Sequence, residues 1–90
     1  MNESHQPYVT VGVQPFGELE GESLRLFRVM PGIPFEQAYE QVSVLLGYIR
    51  HLIHEGDLSD DHKLIGAADY LSGLAKAVMD DIEIARARLA

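Results

Sequence analysis

From Phe35 onward the apolar side chains recur at steps of three and four: Phe35, Ala38, Tyr39, Val42, Leu45, Leu46, Ile49, Leu52 and Ile53. That spacing lays one continuous stripe along an amphipathic helix, predicted over about residues 34–55. Pro34 suits the first turn, where its missing N–H costs nothing. Glu36 lies near the positive end of the helix dipole, while Arg50, His51 and His54 lie toward the negative end. Gly56 is the expected stop. A second stripe runs through Leu64, Ala67, Ala68, Leu71, Leu74, Ala75, Val78, Ile82, Ala85 and Leu89. It predicts a helix over about residues 59–88, with Ser59 as N-cap and Asp60 and Asp61 in its first turn. Gly66, Ser72, Gly73, Ala75 and Ala77 cut the bulk of this helix and let another backbone approach closely. The link between the helices is short, so they should lie antiparallel.

Upstream the pattern changes. Leu24 to Met30 reads as an extended segment that Pro31-Gly32 breaks. Its arginines, Arg25 and Arg28, fall on opposite faces of an ideal strand. A lone strand is not stable in water; the partner would be residues 8–13, the same strand of a second subunit, or the flank of a helix. Tyr8 to Val13 has strand-like composition, with Tyr8, Thr10 and Gly12 on one face and three valines on the other. Gln14 to Glu22 is rich in turn formers and acids. Residues 1–23 are therefore read as a flexible or partly extended acidic N-terminal arm, and residues 24–90 as the helical-hairpin domain.

A helix of about 21 residues is roughly 31 Å long and one of about 30 residues roughly 45 Å, leaving about 14 Å of the longer without a neighbour. Apolar groups beyond the main stripes add to this excess. Pairing two hairpins into a four-helix arrangement buries both, and the predicted self-association face is Val44, Tyr48, Ile65, Tyr70, Met79 and Ile82. The alternative is a second helix that frays after Asp81, with the N-terminal arm covering the rest. The expected fold is mainly α: an antiparallel helical hairpin preceded by a short extended or β segment, in a dimer.

Composition narrows the function more than it names it. Ninety residues make one domain of marginal self-burial. No cysteine is present, which removes disulfides and thiolate zinc sites. Fourteen acids against seven basic residues give a formal charge of −7, unfavourable for binding a phosphate backbone. The longest largely apolar run, Val44 to Ile49, is far short of the ~20 residues a bilayer requires. The polar N-terminus lacks the features of a secretory signal, so the expected location is cytoplasmic.

Candidate chemistry is sparse. His51 and His54 stand one turn apart and His62 lies across an acidic link, so the three are candidate ligands for a cation. Solvated helix ends account for the same residues, and no metal or cofactor is assigned. A calcium loop counted from Asp57 fails at its sixth position, His62, and at its twelfth, Ala68. The serines lack a nucleophile-elbow setting, and Asp80 and Asp81 read as a solvated face rather than a catalytic pair. No catalytic constellation is found. A short strand followed by two helices is also the order of ribbon–helix–helix DNA-binding dimers, in which Arg25 and Arg28 would meet the DNA.

Leu26-Phe27-Arg28-Val29-Met30-Pro31-Gly32-Ile33-Pro34 through Ala38 and Leu45-Leu46, followed by Ala67 to Val78, resembles a family of short uncharacterised bacterial proteins, a domain of unknown function. The resemblance covers about residues 24–83, with a Phe-x-Val-x-Pro-Gly lead-in followed by two helices. It implies a small helical protein and carries no catalytic or ligand-binding residues. The reading is a non-enzymatic protein-protein interaction or regulatory module. Its expected partner is a second copy, with an unidentified protein as a further candidate; nucleic acid and membrane are disfavoured. A dimeric DNA-binding regulator using Arg25 and Arg28 is the alternative, and a metal site at His51, His54 and His62 the third.

Overall fold

The computed structural model describes residues 8–18 and 25–89. Strand β1 (Pro15–Glu18) and strand β2 (Arg25–Arg28) precede helix α1 (Phe35–Ser59) and helix α2 (His62–Leu89). The two helices pack as the predicted antiparallel hairpin. Parts of the predicted N-terminal arm, residues 1–7 and 19–23, lie outside the described residues, as does Leu24.

Helix α1 does not stop at Gly56. It continues to Ser59 and closes at Asp60, which takes the left-handed conformation (φ 55°, ψ 45°). The amide of Asp61 then donates to the Gly56 carbonyl at 2.9 Å, the six-to-one bond of a Schellman closure. Gly56 serves the crossing instead: a Cβ there would lie 2.8 Å from Ile65 Cδ1 and 3.2 Å from the Asp61 carbonyl oxygen. Ser59 does not cap α2 either. Its hydroxyl donates back to the Glu55 carbonyl, while the Asp61 carboxylate accepts the Lys63 amide at 2.9 Å and caps α2. With 25 and 28 residues, the helices are nearly matched. The overhang expected from the sequence shrinks to three residues, about 5 Å.

Between the helices α1 contributes bulk and α2 contributes space. Phe35, Val42 and Ile49 are buried on α1, and Ala68, Ala75, Ala85 and Ile82 on α2. Small residues opposite large ones let two helices approach closely. The densest cluster, Phe35, Ala38, Ile82 and Ala85, lies at the end of the hairpin away from its link and is backed by Val11 and Ile33. Each large aliphatic or aromatic side chain buried there contributes roughly 1.5–3 kcal/mol.

The partner of β2 is β1 of the same chain. They pair antiparallel with Phe16 opposite Phe27 and Pro15 opposite Arg28. The pairing falls in a stretch that reads as turn formers, because glycine and proline mask the pattern. Gly17 has φ +74°, and a Cβ there would meet the Phe27 ring at 2.6 Å, so the glycine is what lets that ring lie across the neighbouring strand. The Phe16 and Phe27 ring centroids are 5.5 Å apart. Residues 8–13 form no continuous strand; Val9 makes an isolated antiparallel bridge to Pro34.

Candidate functional site

The N-terminal segment is tied to both helices by a clasp that begins at Thr10. Its amide donates to the Ile33 carbonyl and its carbonyl accepts the Gly32 amide, both at 2.8 Å. Its hydroxyl donates to the Met30 carbonyl at 2.7 Å and accepts the Ile33 amide at 3.0 Å. The same segment also meets the start of α1: the Phe35 amide, first of the helix, donates to the Tyr8 carbonyl at 2.9 Å. Pro34 precedes that amide as the N-cap, without a side-chain cap, so the upstream segment supplies the partner that helix ends otherwise lack.

Asp81 closes the clasp from α2. Its two carboxylate oxygens accept the amides of Val11 at 2.8 Å and Gly12 at 2.6 Å, and the residue is only 2% exposed. Asp81 is not the solvated group that its neighbour suggests; it is Asp80 that faces outward and pairs with Lys76 at 2.7 Å. The sequence does carry a signal. Leu74, Val78, Asp81 and Ala85 follow steps of four, three and four, so an acid occupies an apolar register and must find buried donors. Gly12 is required beside it, with φ +63° and a Cβ position 2.3 Å from the Val29 carbonyl oxygen. Within residues 8–13, Thr10 and Gly12 are buried and Val11 packs against the core cluster, while Tyr8 and Val13 are exposed.

The hairpin has two long flanks of different character. The clasp-side flank holds a cleft of about 390 Å³ whose lining includes Thr10, Ile33, Gln37, Glu40, Gln41 and Val78. Helical spacing continues this flank through Val44 and Tyr48 on α1 and through Leu74 and Leu71 on α2. A second cleft of about 270 Å³ adjoins it at Leu74, where Tyr70 and Gly73 meet Phe16 and Phe27. The opposite flank carries a cleft of about 340 Å³ lined by Arg50, Ile53, His54, Asp57 and Ile65. Beyond that cleft, Arg86 donates to the Tyr39 hydroxyl and its guanidinium carbon stands 6.0 Å from the Phe35 ring centroid.

The predicted self-association face does not survive as a single surface. Ile82 is 1% exposed and belongs to the core, and Met79 packs against that core. Neither is open to a second chain, because α1 and the N-terminal segment already cover that end of α2. Ile65 and Tyr70 diverge by about 140° around α2 at 100° per residue and line clefts on different sides. Val44 and Tyr48, one turn apart on α1, remain exposed together, and Tyr48 is 60% exposed.

The three histidines are not gathered. Among the described residues no group of three or more histidine, aspartate or glutamate side chains is placed to hold a metal ion. The extension of α1 is the reason: five residues of helix separate His54 from the end at Ser59, carrying the link roughly 8 Å farther along the axis. Arg25 and Arg28 lie on the exposed β2, whose partner strand comes from the same chain rather than from a second subunit.

The sequence model of one protein family, described as "Protein of unknown function (DUF3077)", matches residues 10–85. The chain belongs to this family. No curated protein and no solved structure matches it. The family span is wider than the resemblance read over residues 24–83, and it starts at Thr10, the first residue of the clasp. It ends at Ala85, the last buried residue of α2. Residues 10–18, read from sequence as part of an arm, thus fall inside the family unit. Among the described residues no helix is long and apolar enough to cross a membrane.

Proposed function

We propose that this family member is a non-enzymatic interaction module that works by self-association through its helix flanks. The observation that carries the reading is the amount of large apolar surface the hairpin leaves open. Tyr48 and Tyr70 are each about three-fifths exposed, and Leu46 is half exposed. Tyrosine supplies contact area at low conformational cost, which is why it is enriched in interface cores. The clasp supports the same reading, since it holds residues 8–12 at one end of the hairpin, away from Tyr48 and Leu46. An overhanging second helix is not part of this support, because the helices are nearly equal in length. Sedimentation equilibrium on the full chain tests it: a mass of twice the protomer at micromolar concentration is expected, and a protomer mass throughout refutes it. The competing DNA-binding reading, through Arg25 and Arg28, expects a salt-sensitive shift of duplex DNA at low ionic strength.

A further inference from the structure

We propose that the cleft between the two-stranded sheet and α2 binds a methylated ammonium group, held among the rings of Phe16, Phe27 and Tyr70 with the Asp69 carboxylate as its counter-charge. This goes beyond the self-association reading and does not rest on it; Tyr70 is the one residue the two share.

The lining is the first ground. Phe16 and Phe27 face each other across paired strands, with ring centroids 5.5 Å apart and planes tilted by 35°. Tyr70 comes from α2, with Asp69 directly before it. Three of the seven aromatic residues of the chain thus border one space of about 270 Å³. The other two clefts lack this combination. No aromatic ring lines the cleft of about 390 Å³, and Arg50 brings a positive charge to the one of about 340 Å³. Aromatic rings attract cations through their quadrupole, and walls of Phe, Tyr and Trp are how quaternary ammonium groups are recognised.

Charge gives the sign of the ligand. Among the described residues no lysine or arginine lines the cleft. Lys76, one turn beyond Gly73, pairs with Asp80 at 2.7 Å. The Asp69 carboxylate has neither a hydrogen bond nor an ion pair among the described residues; the Ser72 hydroxyl donates to the Asp69 backbone carbonyl instead. A net charge of −7 adds long-range attraction for a small cation.

The walls also decide which cation. A primary ammonium is strongly hydrated and carries three donors. Inside the cleft its side-chain acceptors would be the Asp69 carboxylate and the Tyr70 hydroxyl alone. A trimethylammonium has no N–H to satisfy and presents methyl groups to the rings, so it leaves water at less cost.

Gly73 makes the room. Nothing lies within 4 Å of a Cβ placed there, so close packing does not require the glycine, which is the poorest helix former after proline. Gly47 and Gly66 are equally open but border none of the three clefts. The volume lies just below the ~300–1,000 Å³ of clefts that take drug-sized ligands, the scale of a small head group.

The experiment titrates the isotopically labelled full chain with choline and follows the amides of Gly17 and Gly73 by nuclear magnetic resonance. Saturable shifts with a dissociation constant of about 1 mM or tighter are expected from a few cation–π contacts. The alcohol 3,3-dimethylbutanol, which has the shape without the charge, should bind about tenfold more weakly or worse. Tyr70→Leu and Asp69→Asn, both at exposed positions, should each weaken choline binding about fivefold or more, with circular dichroism and thermal melt unchanged; Tyr48→Leu should leave it as it is. Blocked trimethyl-lysine separates the sources: binding tighter than choline assigns a modified side chain, and weaker binding assigns a free small molecule. Unmethylated blocked lysine binding as tightly as its trimethyl form would overturn the methylated class. Shifts that do not saturate, equal binding of the alcohol, or indifference to Tyr70→Leu and Asp69→Asn would overturn the site.

Discussion

Asp81 ties the N-terminal segment to α2, and its removal has a calculable cost. In Asp81→Ala the amides of Val11 and Gly12 lose acceptors at 2.8 and 2.6 Å, in a place with little water. A hydrogen bond to a charged group contributes about 1.5–3 kcal/mol, so two of them amount to roughly 3–6 kcal/mol. Part of that is offset, because alanine no longer requires a carboxylate to be desolvated. The net destabilisation should be about 2–4 kcal/mol. In a domain of this length each kcal/mol moves the melting temperature by about 4–8 °C, so a fall of roughly 8–32 °C is expected. Asp81→Asn keeps one acceptor oxygen and should lie between alanine and wild type. Urea titration at fixed protein concentration gives the free energy, since any self-association makes stability concentration-dependent. Hydrogen exchange at the Val11 and Gly12 amides tells whether the clasp itself has opened. If Asp81→Ala changes stability by less than about 0.5 kcal/mol, the scale of an ordinary surface substitution, and both amides keep their protection, the clasp is not what holds the N-terminal segment.

Three further substitutions test individual glycine and turn assignments, each read by the same urea titration. Gly12→Ala places a Cβ 2.3 Å from the Val29 carbonyl oxygen at φ +63° and should cost at least about 2 kcal/mol, since the left-handed region alone costs an L-residue about 1–2 kcal/mol; a neutral result contradicts that backbone. Gly47→Ala has the opposite sign. Nothing lies within 4 Å of the added Cβ, so the helix should gain about 0.5–1 kcal/mol of propensity, and a loss would mean that something packs there. Asp60→Gly relieves a left-handed aspartate at φ 55° and should stabilise by up to about 1 kcal/mol; destabilisation would mean that the Asp60 side chain contributes more than its backbone strain costs.

Periodicity determined the two helices and their buried faces, because apolar residues at steps of three and four line one side of a helix, and the short link between them determined the antiparallel packing. Phe35, Ala38, Val42 and Ile49 face Ala68, Ala75 and Ile82 as their spacing requires. The helix ends were not legible in the same way. Gly56 carries the chemistry of a stop, yet its lack of a side chain is spent on the crossing with Ile65, and a non-glycine, Asp60, takes the left-handed turn. Local propensity cannot rank those two uses of a glycine, since one of them depends on a residue nine positions away. The candidate surface was legible in part. Val44 and Tyr48 could be read as surplus apolar groups, but whether Ile82 is surplus or core depends on what covers the end of α2, and only the docked N-terminal segment decides that. The clasp itself was out of reach. Asp81 and Gly12 are 69 residues apart, and although the register of Asp81 points inward, the donors that satisfy its carboxylate are brought to it only by the fold.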